Sequence, residues 1–158
     1  MTGEYRVSGG YGGAVPGTIA PNGLDGRAEW VPLQGHGLEA RVQARLGSEV
    51  DLRKVLLGVL VPLLGALRGE PLRAIAARLP YALARELLDA DDGVARAPPT
   101  AEQYLREVSE LVQHPLAVAA FYVRAVLGTI RAALAPELTD EVERRLPAEL
   151  AELWRASR

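Results

Sequence analysis

Two histidines, one short acidic loop and a doubled Glu–Arg pair are the residues whose types and spacing bear on chemistry in this chain of 158 residues. His36 sits between Gly35 and Gly37, and His114 precedes Pro115. A structural zinc site draws on four thiolates or imidazoles. The chain has no cysteine, and neither histidine has a carboxylate cluster beside it, so no metal ligand set is read. No serine lies in a nucleophile-elbow sequence. Asp89-Ala90-Asp91-Asp92-Gly93 resembles the start of a calcium loop, but its glycine falls fifth rather than sixth, and position twelve is Thr100 rather than a bidentate glutamate. A solvated linker is the better reading. Gly9-Gly10-Tyr11-Gly12-Gly13 lacks the lysine and hydroxyl of a phosphate loop, and no strand precedes it. The expectation is a protein that is not an enzyme and holds no cofactor or metal.

Glu70 and Glu137 occupy equivalent places in a repeated unit, as do Arg78 and Arg145. One reading makes them a symmetric pair of Glu–Arg sites for a ligand or partner. The other, which is preferred, has each arginine hold helix carbonyls freed at an adjacent Leu-Pro break or pair with a nearby carboxylate. Each glutamate then favours a helix start.

The repeat itself runs over residues 52–87 and 119–154, 67 positions apart without a gap. Ten positions are identical, among them Val59/Val126, Leu60/Leu127, Arg78/Arg145, Leu79/Leu146 and Pro80/Pro147. Internal repetition fixes architecture before any single residue is interpreted. The shared residues are those of a helix core and its punctuation, with almost no chemistry. Composition agrees: the apolar half of the chain is rich in Ala and Leu rather than β-branched or aromatic residues, which favours helix.

Periodicity places the helices. Leu38, Val42 and Leu46 recur every four residues, and Gly47 supplies a stop. Ser48, with Asp51 three residues on, has a capping-box-like spacing for the next helix. That helix is apolar nearly all round from Val55 to Leu67, and Pro62 predicts a kink near Gly58–Pro62. Its apolar run is 13 residues, short of the roughly 20 that a membrane span needs. Gly69 and Pro71 separate it from a short helix, and Leu79-Pro80 breaks that one in turn. The second copy repeats the plan. Thr100 and Gln103 open a helix with Tyr104, Val108, Leu111 and Val112 on its apolar face; Pro115 opens a long one. Pro136 closes the long helix, Thr139 caps a short one, and Leu146-Pro147 precedes the last. Eight helices result, four per copy. The fold expected is all-α: residues 1–35 a Gly/Pro-rich tail and 36–158 a helical bundle. Within the bundle, repeat one is 36–89, the linker 90–99 and repeat two 100–158.

The tail combines Gly and Pro density with a few adhesive residues, Tyr5, Tyr11 and Trp30 among them. Alone it is expected to be disordered; held by a surface, it would be extended. It has neither the basic start nor the apolar stretch of a signal peptide, which fits a cytoplasmic location. A net charge of −2 argues against general nucleic-acid binding. Residues 36–88 hold eight basic and five acidic residues, and residues 99–158 seven and nine, an asymmetry suited to self-association.

The doubled long helix, short helix and Arg-Leu-Pro-x-x-Leu-Ala resemble the bacterial family known as domain of unknown function 2267. The likeness rests on Val55–Leu67 with Arg78-Leu79-Pro80 and Leu83, and on Ala125–Leu134 with Arg145-Leu146-Pro147 and Leu150. It implies an all-helical tandem repeat and no activity. The function expected is a protein-interaction or scaffold module, bound through Tyr5, Tyr11, Trp30, Arg78 and Arg145 to a protein partner or a second copy. An apolar-ligand or lipid-binding bundle is the alternative.

Overall fold

The computed structural model describes residues 37–157. Tyr5, Tyr11, Trp30, His36 and the tail therefore lie outside the described residues. The chain divides into two units, Met1–Ala40 and Arg41–Arg158, and the architecture below is that of the second.

The described residues form helices and no strands, so the all-α expectation holds. In chain order the helices are α1 (Leu38–Leu46), α2 (Leu52–Leu60), a 3₁₀ turn at Val61–Leu63, α3 (Leu64–Leu67), α4 (Glu70–Ala76), α5 (Tyr81–Asp89), α6 (Ala101–Val112), α7 (Leu116–Ala133), α8 (Pro136–Arg145) and α9 (Ala148–Ala156). With Leu52–Leu67 taken as one bent helix, the described residues hold eight helical segments, as the periodicity predicts.

Local chemistry sets most boundaries. Gly47, at φ +99°, donates its N–H to the Gln43 carbonyl and ends α1. Pro80, Pro115 and Pro147 stand immediately before α5, α7 and α9, where a missing N–H costs the helix nothing. Thr100 and Gln103 form the full capping box that opens α6. Two expected caps are displaced. Asp51, not Ser48, caps α2, its carboxylate accepting the Lys54 N–H at 3.2 Å. Pro136 opens α8 rather than only closing α7: the Ala135 carbonyl accepts the N–H groups of Leu138 and Thr139, which leaves Thr139 inside the helix instead of at its cap.

Of the helices in residues 52–89 and 119–156, α5 and α9 occupy the same places 67 residues apart, while α8 is longer than α4 at both ends. The largest departure has a one-residue cause. Pro62 of the first copy corresponds to Thr129 of the second. A proline inside a helix removes a donor and its ring strikes the preceding turn, so the first copy bends through the 3₁₀ turn. Thr129 keeps its N–H, and α7 runs unbroken for 18 residues. At the bend the buried Tyr104 hydroxyl donates to the Val59 carbonyl at 2.8 Å. Leaving a buried carbonyl unpaired there would cost about 1–3 kcal/mol. Burial in turn pushes the Tyr104 phenol well above its ordinary pKa of 10.

The copies meet where α2 crosses α6. A Cβ added at Gly58 would lie 2.7 Å from Val112 Cγ1 and 3.4 Å from Leu111 Cβ. Arg45 and Ala125 also touch across the copies: the Arg45 guanidinium donates to the Ala125 carbonyl and to Thr129 Oγ1, each at 3.2 Å. Around it the core is dry and large: Leu56, Leu60, Leu67, Ile75, Leu87, Leu127, Ile130 and Trp154 are all fully buried. Each such aliphatic side chain contributes about 1.5–3 kcal/mol of transfer free energy. Among the described residues α7 is the one helix long and apolar enough to cross a membrane, with half of it buried within the fold.

The linker between α5 and α6 has no regular structure, yet it is tied down. Asp91 accepts two bonds from Arg68, at 2.7 and 2.9 Å, and the Gly93 N–H at 3.1 Å. Asp92 accepts the Val94 N–H and pairs with Arg96. The aspartates that resemble a calcium loop are thus engaged by arginines and by their own backbone. Arg96 and the Val94 N–H lower the Asp92 carboxyl from 3.8 to about 2.

Two outcomes follow from these contacts. Gly58→Ala gains about 1 kcal/mol of helix propensity but overpacks the crossing at a cost of about 1–3 kcal/mol. Urea denaturation should therefore show a net loss that disappears, or reverses, when the same change is made in a Val112→Ala background. Because the folded Asp92 value is depressed, its turn is fully stabilised above the ordinary carboxylate range, near pH 4, and loses that stabilisation as pH falls through about 2. Carboxyl NMR titration should place Asp92 there, and Arg96→Ala should return it toward 3.8.

Candidate interaction surface

The two repeated arginines do unequal work. Arg78, exposed at the end of α4, donates to the Ala74 carbonyl at 3.1 Å, satisfying a carbonyl of its own helix. Arg145, at the end of α8, reaches into the other copy: it donates to the Ala66 carbonyl at 3.2 Å and to the Arg68 carbonyl, and pairs with Glu141. Those carbonyls terminate α3, so a cation there meets the negative end of a helix. Glu70 and Glu137 stand in the first turns of α4 and α8, and neither forms an ion pair with its copy's arginine; Arg78 and Arg145 engage carbonyls instead. His114 is exposed on the turn between α6 and α7, its ring edge-on to Tyr122 with centroids 5.6 Å apart.

Several apolar side chains face solvent, Leu111 against the expectation from periodicity: Tyr81 at 77%, Leu116 at 51%, Phe121 at 49% and Leu111 at 44% exposure. Three of them, Leu111, Leu116 and Phe121, belong to the α6–α7 hairpin. Leu111 sits at the end of the α6 apolar stripe, but the stripe is filled by Tyr104, Val108 and Val112, and Leu111 is left outward. Phe121 is the only phenylalanine of the chain. Its counterpart in the first copy is Lys54, which donates to Gln113 at 2.6 Å, and Tyr81 has Ala148 as its counterpart. The signal for both aromatics was available in the alignment of the copies: an aromatic facing a cation or an alanine at a matched position.

The opposite end of α7 carries a polar insertion in the core. Arg131 and Trp154 replace Leu64 and Leu87 of the first copy. The Arg131 guanidinium lies 5.9 Å over the Trp154 ring and donates to the Ser157 carbonyl at 2.8 Å. This holds the last turn of α9 down through a cation–π contact and a charge-assisted bond. Nothing in the cluster pairs an acid with a base.

The matched arginines give a clean contrast. Arg145→Ala should cost about 1–2 kcal/mol, since charged hydrogen bonds are lost at a partly exposed site. Arg78→Ala should stay within about 0.5 kcal/mol. Denaturation midpoints of the two variants measure this, and equal losses would contradict the difference in their bonding.

Neither a curated protein nor a solved structure matches the chain. One family model does, over residues 38–153, and its description is "Uncharacterized conserved protein (DUF2267)". That span covers most of the helical segment, including both Arg-Leu-Pro breaks, and the chain belongs to the DUF2267 family.

Proposed function

We infer that the protein is a non-catalytic interaction or scaffold module that presents the α6–α7 hairpin to a protein partner. One observation carries this reading: Phe121 stands half exposed at a position where the other copy has Lys54. An aromatic side chain loses about 1–3 kcal/mol of transfer free energy when left in water rather than buried, and partner surfaces concentrate such residues. Leu116 and Leu111 extend the apolar area on the same hairpin. The catalytic alternative is the weakest, because no set of acid, base and nucleophile converges in the sequence. The apolarity of α7 is read as core rather than membrane span, its buried half lying within the helical fold. The tail, with Tyr5, Tyr11 and Trp30, is read as a docking peptide, and a cytoplasmic location suits the whole. A small apolar-ligand or lipid-binding bundle remains the alternative, resting on the Leu-rich run Val55–Leu67.

A photoreactive phenylalanine analogue placed at 121, at 116 and, as a control, at Arg85 on the exposed face of α5 tests the hairpin in cells. Covalent adducts of one defined protein at 121 and 116, absent at 85, are expected. Equal labelling at all three positions, or none, would sink the reading. Native mass spectrometry of the purified protein would instead register a co-purifying lipid if the alternative holds.

A further inference from the structure

We propose that the Arg68–Asp91 clasp is a latch that keeps the two copies paired within one chain, and that opening it lets them pair between two chains as a domain-swapped dimer. The halves of the chain meet through Gly58 against Val112 and Arg45 against Ala125. Such a surface is satisfied equally well by the second half of its own chain and by the second half of another. The covalent link decides between them, through the effective concentration it imposes.

The linker is built to impose it. Asp91 follows α5 almost directly and is held by Arg68 at the end of α3, with the Asp91 side chain only 17% exposed. Gly93, at φ +72°, turns the chain under that clasp, and the Asp92–Arg96 pair closes the turn. Between Arg96 and the Thr100 cap of α6 only Ala97, Pro98 and Pro99 are left unclasped. Three residues reach at most about 10 Å, and the two prolines stiffen them further. With the latch closed, the second copy is delivered only to the first copy of its own chain. With it open, residues 91–99 become a free hinge about 30 Å long at full extension, and the exchanged arrangement comes within reach. Arg145, bonded to the Arg68 carbonyl from the second copy, holds the backbone of the same residue whose side chain makes the latch.

The absence of cysteine from the sequence makes the test direct. The side-chain ends of Lys54 and Gln113 meet across the copies at 2.6 Å, so K54C and Q113C introduced together are bridged by a short bismaleimide within one chain in the monomer and between chains in a swapped dimer. The full chain is refolded at high concentration, cross-linked, and run on a denaturing gel with light scattering of the same sample. Adding Arg68→Ala or Asp91→Ala should raise the covalent dimer several-fold over the parent double-cysteine protein. Arg106→Ala, which breaks the ordinary Arg106–Glu102 pair on α6, should not. No rise with either latch variant overturns the proposal. An equal rise with Arg106→Ala also overturns it, since general destabilisation would then account for the exchange.

Discussion

The crossing of α2 over α6 at Gly58 is the constraint on which the other contacts of the structure depend. With Val112 Cγ1 only 2.7 Å from where a side chain would begin, a larger residue at 58 fits only if that valine gives way. That approach brings Tyr104, on the same helix as Val112, within 2.8 Å of the Val59 carbonyl. One helix of the second copy thereby supplies packing near its end and a hydrogen bond about two turns earlier. The bend after Val59 is thus supported from outside the helix that bends.

The contact at Ala125 is built differently. Ala125 stands where the first copy has Gly58, and the residue that meets it is Arg45 rather than a valine. Its guanidinium finds the Ala125 carbonyl, which already accepts the Thr129 hydroxyl at 2.7 Å. Thr129 stands where the first copy has Pro62. At one contact a glycine and a proline bend of the first copy meet a valine and a tyrosine of the second; at the other an alanine on a straight helix of the second meets an arginine of the first. Each set is internally consistent, which is what keeps a duplicated unit folded after its halves diverge.

Helix ends were the most legible part of the chain. Gly47, Gly69 and the two Leu-Pro breaks act through backbone geometry confined to a few residues, so the sequence alone locates them. The misplaced caps show how far that locality extends. Ser48 and Asp51 both have capping side chains, and the choice of Asp51 depends on which backbone enters the helix extended. Thr139 gave way to Pro136 because a proline at the first helical position needs no N–H partner. The bonds of Arg145 to the Ala66 and Arg68 carbonyls connect residues 79 and 77 positions apart. No local pattern encodes such a pairing, and the matched Arg78 turns back on its own helix.

Exposure was the least legible property, for a related reason. An apolar periodicity marks which face of a helix is buried, but not how wide a face the neighbouring helices can cover. On α6 the covered stripe ends at Val112, and Leu111 falls just outside it. On α7 the buried set is nearly continuous from Tyr122 to Ile130, so Phe121 stands at the boundary where coverage begins. The two copies share apolar core positions, and the hairpin leaves Leu111, Leu116 and Phe121 in solvent beside that core. The repeat thereby separates residues that the core holds from residues that it leaves facing water.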